Sequence, residues 1–313
     1  MRLPHHSRGP VLAVLLFLVC SACTTPPAGD PSAHTWHTEA TSIVEERHSM
    51  GVGSSLREFI LHRPLEVHSG ERLPVVIVLH GNGNGARTIA GQVQSEFNVD
   101  ARRFIAVFPQ GHGNAWNLGV CCTPANTAYI DDFLFFDKLT AYLATRPDVA
   151  GDQISIAGGS LGGITAYQYA CVRADRLAGL VSASGTHITS CLPNAPVPTM
   201  QIHSLTDNSI AYDGGFTSTE LLLGLDFPAV VPTVETWAAA NGHCPDGPTQ
   251  TEHVVNDLAT ATVWDCGGTT TWLETLDHGE HAMPIIGDYV VADAVFDFLL
   301  GPLGSGTLSD DHA

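Results

Sequence analysis

Strand-like apolar runs alternate with helix-like segments along most of this chain, and this alternation limits the folds that it can adopt. The clearest run, at 74–79 (PVVIVL), is rich in β-branched residues, as is typical of a strand buried on both faces. Other runs lie at 57–62, expected to be an edge strand, and at 104–108, 153–157, 177–182, 198–203 and 270–276. Helical patterns fall between several of them, at 86–97, 131–145, 164–172, 234–241 and 289–300. The alternation predicts right-handed βαβ crossovers, a mostly parallel central sheet and a three-layer sandwich.

A Gly-x-Ser-x-Gly pattern lies at 158–162 (GGSLG), between a strand-like run and a helix-like one. Glycine lets the backbone turn sharply there, so that the Ser160 hydroxyl projects from a strained turn, as in a nucleophile elbow. The start of the following helix favours developing negative charge. The pentapeptide alone is a weak signal, but its position between strand and helix predicts that Ser160 is the nucleophile of a serine esterase.

A glycine-rich loop at 80–85 (HGNGNG) directly follows the buried run at 74–79. Successive glycines free backbone N–H groups to point at a ligand. We expect an oxyanion hole in which amides of Gly81 and Asn82 act together with the amide of Leu161, the residue after the nucleophile. Each such donor lowers the barrier by on the order of 3 kcal/mol.

A serine hydroxyl needs a general base, and the base needs an acid that orients it. The expected chain order is serine, acid, histidine. Asp207 follows a predicted strand and is the first candidate for the acid, with Asp213 and Asp226 as alternatives. The base is His278 or His281, because both follow the last predicted strand.

The N-terminal segment 1–22 has the pattern of an export signal, with Arg2 and Arg8 before the apolar run 11–19. That run is too short to span a bilayer. Cleavage before Cys23 would leave a cysteine that could carry a lipid and attach the protein to a membrane, and free secretion is the alternative. We expect a flexible tether at 23–52, one catalytic domain at 53–300 and a disordered tail at 301–313.

Eight cysteines are present, and removal of Cys20 and Cys23 with the signal leaves six. An even number in an exported chain indicates disulfides, although six cysteines allow 15 connectivities. We expect Cys171 to pair with Cys191 and Cys244 to pair with Cys266, with the adjacent Cys121 and Cys122 either joined or free. The spacing of a zinc site is not present, and no metal or cofactor is expected.

The chain carries 13 basic and 32 acidic residues, a formal net charge of −19. Such a surface repels phosphate backbones and anionic lipids. Nucleic acid is therefore excluded as a partner, and a neutral polymer or a small ester is the expected substrate.

Several collinear segments resemble the bacterial polyhydroxybutyrate depolymerase and feruloyl esterase family of secreted α/β-hydrolases, over roughly residues 59–299. The matching segments are 78–81 (VLHG), 108–111 (FPQG) with Trp116, Asn117, Cys121 and Cys122, then 131–132 (DD), 158–163 (GGSLGG), 203–207 (HSLTD) and 281–284 (HAMP). Leu161 and Ile164 stand where the family often has Asn and Met. The resemblance implies an α/β-hydrolase three-layer sandwich with a mostly parallel central sheet.

The resemblance also selects among the open candidates. It implies Asp207 as the acid and His281 as the base, and it supports a bridge between Cys244 and Cys266. Met283 replaces the tryptophan of the family's His-x-Trp-Pro, so a contact with the substrate is expected to differ there. Trp116 is expected to stack on an aromatic acyl group, as could Trp237 and Trp272.

Together these features predict a secreted carboxylic ester hydrolase with a Ser-His-Asp acyl-enzyme mechanism. The resemblance favours hydroxycinnamoyl esters of plant polysaccharide as substrates, as for a feruloyl esterase, with polyhydroxybutyrate as the alternative. A surface binding protein built on an inactive hydrolase fold is the alternative from another class.

Overall fold

The structure is a computed structural model, and it describes residues 43–216, 225–242, 246–254, 258–265, 269–281, 285–286 and 289–301. These residues belong to one compact unit, Ala40–Ala313. The predicted signal at 1–22, the predicted lipid site at Cys23 and all but the first residue of the predicted tail at 301–313 lie outside the described residues. Among the described residues, no helix is both long and apolar enough to cross a membrane.

A ten-stranded sheet forms the centre of the described part of the chain. In chain order the strands are β1 Ile43–Val52, β2 Ser55–Pro64, β3 Leu73–Leu79, β4 Ile105–Pro109, β5 Val149–Gly159, β6 Leu180–Ala183, β7 Thr199–Ser204, β8 Gly215–Phe216, β9 Asp226–Phe227, β10 Gln250–Val254, β11 Ala259–Trp264, β12 Thr271–Leu276, β13 Ile285–Ile286 and β14 Tyr289–Val290. The large sheet has the order β1-β2-β4-β3-β5-β6-β7-β12-β11-β10, and β8–β9 and β13–β14 form separate two-stranded pairs.

The six central strands of the sheet, from β4 to β12 in sheet order, all pair in parallel. The strands added at the two sides, β1 and β2 on one and β11 and β10 on the other, pair antiparallel. The predicted mostly parallel sheet is therefore confirmed. Each of the seven predicted strands is present, with bounds shifted by a few residues.

Helices cover both faces of the sheet. They are α1 Ala86–Gln92, α2 Gln94–Phe97, α3 Val99–Arg102, α4 Asp132–Ala144, α5 Leu161–Arg173, α6 Val230–Gly242 and α7 Val291–Leu300, with a short 3-10 helix at Ala174–Arg176. Strand β3 shows the layering, because Ile77 packs in one cluster with Phe136 of α4, whereas Val76 packs in the other with Phe296 of α7. The three-layer prediction is confirmed.

Strand β1 corrects two of the predictions. It occupies 43–52, so the folded part begins within the segment assigned to a flexible tether at 23–52. It also pairs with β2 on the side away from β4, so the strand predicted at 57–62 is not at the edge of the sheet. The sequence did not indicate β1 because this strand is charged and lacks the apolar pattern of a core strand. Its Glu46, for example, lies 2.8 Å from Arg63 on β2.

Three smaller differences concern the bounds of two helices and one additional hairpin. The helix predicted at 86–97 is interrupted at Val93, the C-terminal residue that caps α1. The helix predicted at 289–300 begins only at Val291, after β14. The hairpin of β10 and β11 was not predicted: 250–254 (QTEHV) has no apolar pattern, and the alternation in 259–264 (ATATVW) rests on small alanines.

Two disulfides occur among the described residues. One joins Cys171 of α5 to Cys191 in the loop after β6, with 6.0 Å between the Cα atoms, and these are the partners expected from the sequence. The other joins the adjacent Cys121 and Cys122, one of the two alternatives left open above. Cys244 and Cys266 lie outside the described residues.

Candidate active site

Ser160 lies in the sharp turn between β5 and α5. Its backbone has φ 55° and ψ −123°, a conformation that is costly for a residue with a Cβ. Both glycines of the motif are required: a Cβ at Gly158 would lie 2.4 Å from the carbonyl carbon of Gly162, and one at Gly162 would lie 2.2 Å from the carbonyl oxygen of Leu79. The Ser160 amide donates to the carbonyl of Ala183 at 2.8 Å, which ties the turn to β6.

His281 joins Ser160 to Asp207. Its Nε2 lies 2.8 Å from Ser160 Oγ, and its Nδ1 lies 2.9 and 3.0 Å from the two carboxylate oxygens of Asp207. A carboxylate can only accept, so the imidazole proton is on Nδ1 and Nε2 is free to accept the serine proton. The structure thus brings together the three side chains that the sequence analysis singled out.

Asp207 is buried and heavily hydrogen bonded. Its Oδ1 accepts the amides of Ser209 and Ile210, each at 2.8 Å, and its Oδ2 lies 3.2 Å from Nε2 of His203. Burial alone would raise the pKa of Asp207, but hydrogen bonds from His203, His281 and the Ile210 amide outweigh it and hold the pKa well below its usual range. Asp207 is therefore an anion at neutral pH.

The alternatives for the acid and the base are placed elsewhere. Asp213, Asp226 and His278 are exposed. Within the described part of the chain, Asp207 is the only carboxylate within hydrogen-bond distance of His281.

The glycine-rich loop lies beside the serine. A Cβ at Gly81 would be 3.5 Å from the Cβ of Ser160. The Gly111 amide donates to Nε2 of His80 at 3.0 Å, so the proton of this buried imidazole is on Nδ1, which donates to the Gly81 carbonyl at 2.9 Å. Burial lowers the pKa of His80, which keeps it neutral. The amide of Leu161 is the first of α5, where a helix has no internal acceptor for it.

Trp116 does not reach a substrate, and the prediction that it stacks on one is wrong. Its side chain is fully buried, its Nε1 donates to the His80 carbonyl at 2.8 Å, and its ring packs on the His80 ring at 4.7 Å. Trp116 therefore supports the glycine-rich loop from beneath. Trp237 is also fully buried and donates to Nδ1 of His187. Met283 lies outside the described residues.

Sequence reasoning missed the polar contacts that fix the loop between β4 and α4. Arg57 and Asp132 form a buried ion pair at 2.7 Å, and the second oxygen of Asp132 accepts the Asn117 amide at 2.7 Å. Burial raises the pKa of Asp132, and Arg57 opposes this. Only the acidic pair at 131–132 pointed to these contacts, and nothing in the sequence indicated that Arg57 would be its partner.

A family model of known proteins matches residues 54–264 of this chain, and its description is Esterase ("Putative esterase"). Feruloyl esterase B of Piromyces equi is 28% identical over 177 residues, which cover 54% of this chain and 31% of that protein. The chain thus spans about a third of the length of this relative.

Solved structures show the same fold at low identity. The acetyl xylan esterase from Aspergillus awamori has a TM-score of 0.59 at 13% identity, covering 81% of this chain and 98% of its own. An S-formylglutathione hydrolase from Agrobacterium tumefaciens has a TM-score of 0.54 at 14% identity, covering 85% and 97%. These similarities bear out the α/β-hydrolase fold expected from the sequence.

Proposed function

This chain belongs to the Esterase family, and on that basis we propose that it is a carboxylic ester hydrolase that acts through Ser160, His281 and Asp207. The observation that carries the proposal is the 2.8 Å contact between His281 Nε2 and Ser160 Oγ, with Asp207 on the other ring nitrogen. This is the arrangement of nucleophile, general base and orienting acid that ester hydrolysis requires.

The first half of the reaction forms an acyl-enzyme. Ser160 Oγ attacks the ester carbonyl carbon while His281 Nε2 takes the hydroxyl proton. The tetrahedral intermediate then collapses: the bond between the carbonyl carbon and the alcohol oxygen breaks, and His281 gives its proton to the departing alcohol. Asp207 holds the Nδ1 proton throughout and stabilises the imidazolium.

The second half releases the acid. Water attacks the acyl carbon while His281 takes one of its protons, and the same proton returns to Ser160 Oγ as the acyl bond breaks. In both halves the negative oxygen is held by the amide of Leu161 and by an amide of Gly81 or Asn82. A hydrogen-bonded His80 fixes the carbonyl of Gly81, which supports a rigid, preorganised loop.

The proposed substrates are hydroxycinnamoyl esters of plant polysaccharide. This proposal takes its support from the similarity to a protein named feruloyl esterase B. Release of ferulate from methyl ferulate, measured beside release of hydroxybutyrate from polyhydroxybutyrate, tests it. Faster release of hydroxybutyrate would favour the alternative, a polyhydroxybutyrate depolymerase.

The proposed location is outside the cytoplasm, after export, with a lipid on Cys23 or free. The disulfide between Cys171 and Cys191 is consistent with an oxidising compartment. Radioactive fatty acid that labels the wild-type protein but not Cys23→Ser would support the lipid anchor. An unlabelled wild-type protein would favour free secretion.

A fluorophosphonate probe separates the hydrolase from an inactive binding protein. We expect the wild-type protein to be labelled and Ser160→Ala to be unlabelled and inactive on p-nitrophenyl acetate. Ser54→Ala is the matched control, because Ser54 is exposed in the turn between β1 and β2. Full activity of Ser160→Ala would exclude the proposed nucleophile.

A further inference from the structure

A second buried histidine lies behind Asp207. His203 is on β7, and its side chain is fully buried. Its Nε2 lies 3.2 Å from Asp207 Oδ2 and 2.8 Å from the carbonyl oxygen of Ile210. Both of these atoms accept hydrogen bonds, so Nε2 carries a proton.

Gln201 fixes the protonation state of this imidazole. Its Nε2 lies 3.2 Å from the carbonyl oxygen of Ile202 and 3.1 Å from Nδ1 of His203. A carbonyl can only accept, so the nitrogen of the Gln201 amide must face it, and the other proton of that nitrogen points at His203. Nδ1 of His203 is therefore an unprotonated acceptor, and His203 is neutral with its single proton on Nε2.

The proton on Nε2 connects the two sides of a tight turn. The amide of Ile210 donates to Asp207 Oδ1, while the carbonyl of the same residue lies within reach of His203. The imidazole thus contacts both the carboxylate and the turn that cradles it. Oδ2 of Asp207 is thus contacted by both His203 and His281, at 3.2 and 2.9 Å, while Oδ1 accepts the amide of Ile210.

We propose that His203 is a positioning residue for ester hydrolysis: a neutral imidazole, locked in the Nε2–H form by Gln201, that orients Asp207 toward His281. This inference rests on the proposed function, because it assigns His203 a role in presenting the acid to the base. A neutral donor suits this place, since a second positive charge beside Asp207 would compete with the imidazolium that forms on His281 during the reaction.

The role predicts a defined change in pH dependence. The hydrogen bond from His203 helps to hold the pKa of Asp207 low, so its loss makes Asp207 a stronger acceptor for the Nδ1 proton. We expect the acid limb of kcat/KM to move to higher pH. The titratable side chains that face His203 among the described residues are Asp207 and Tyr212. The ring centroids of His203 and Tyr212 are 6.0 Å apart. Tyr212 is engaged by Thr275 at 2.7 Å, so the effect is expected to pass through Asp207.

Two substitutions separate positioning from packing. His203→Leu removes the donor, and we expect kcat to fall about 10- to 100-fold with KM nearly unchanged, because the acid and base lose alignment. His203→Gln places an amide N–H near the position of Nε2, and we expect it to restore most of kcat and the wild-type acid limb. A folded His203→Leu protein with wild-type kcat and an unshifted acid limb would overturn the proposal.

Nitrogen NMR of histidine in the wild-type protein and in Ser160→Ala tests the protonation state directly, and it decides the matter if His203→Leu does not fold. We expect the single ring proton of His203 to be on Nε2, because the Gln201 amide donates to Nδ1. A proton on Nδ1 of His203 would overturn the inference while leaving the esterase assignment intact. Conversely, a fully active Ser160→Ala would exclude the proposed function without changing the NMR result.

Discussion

Arg57 and Asp132 form a buried ion pair in which Nη2 lies 2.7 Å from Oδ1, with side chains only 4% and 1% exposed. Arg57 also donates to the carbonyl of Gln110, and Asp132 accepts the amide of Asn117. The pair thus connects β2 and the start of α4 to the first part of the loop between β4 and α4, at Gln110 and Asn117. Trp116 of the same loop packs beneath the glycine-rich loop.

Breaking this pair is expected to be costly. Asp132→Asn leaves the Arg57 charge buried without a partner, so we expect the free energy of unfolding to fall by about 3–5 kcal/mol in urea denaturation. The surface pair of Arg47 and Glu45 is the control, and Arg47→Gln should change stability by less than about 1 kcal/mol. Equal stability of the two variants would contradict the assigned role of the buried pair.

Gly162→Ala is expected to disrupt the turn that presents Ser160. The new Cβ would lie 2.2 Å from the carbonyl oxygen of Leu79, so the turn must shift. We expect kcat on p-nitrophenyl acetate to fall about 100-fold, as for misplaced reacting groups. In contrast, Gly91→Ala in α1 meets open space, and it should leave kcat unchanged and add roughly 0.5–1 kcal/mol of stability. Wild-type kcat in Gly162→Ala would show that the turn can accept a Cβ at this position without misplacing Ser160.

Glu274 on β12 makes stability depend on pH near neutrality. Its Oε1 has no hydrogen-bond partner among the described residues, and burial raises its pKa from 4.5 to about 8. Between pH 4.5 and 8 the folded state therefore keeps the Glu274 proton, whereas the unfolded state has lost it. For this reason the protein becomes less stable as the pH rises through this range.

Glu274→Gln removes this dependence. We expect the variant to gain stability relative to the wild-type protein by up to about 3 kcal/mol at pH 7 and to show little difference at pH 4. Urea denaturation across this pH range measures the effect. A difference between the two proteins that stays constant with pH would mean that Glu274 does not titrate as inferred.

The disulfide between Cys171 and Cys191 closes a loop of about 20 residues that begins in α5 and includes β6. Replacing both cysteines by serine is expected to lower the free energy of unfolding by about 3 kcal/mol, because the unfolded chain gains freedom. Dithiothreitol should lower the stability of the wild-type protein toward that of the variant. If reduction has no effect on the wild-type protein, the bridge does not form in solution.

Much of the central sheet could be predicted because its parallel strands are buried on both faces, as β3 shows, and their sequences are nearly continuous apolar runs. Strand β1 could not, because it lies at the side of the sheet and is held by ion pairs such as Glu46 with Arg63. Apolar patterning carries no signal for such a strand.

The candidate site was predicted unevenly. Ser160, Asp207 and His281 each follow a buried strand, and chain order with family resemblance was enough to single them out. The supporting side chains were not found, because the roles of His80 and His203 depend on contacts with Gly111 and Gln201 that no sequence spacing encodes. Trp116 was placed wrongly because an aromatic residue beside a site can equally pack underneath it.

The charged face of β1 has a further consequence for the protein at high concentration. An open sheet edge is a template on which another chain can add a strand, and addition here would have to take Glu45 and Arg47 out of water. The charged side chains of this strand therefore discourage the enzyme from assembling edge to edge.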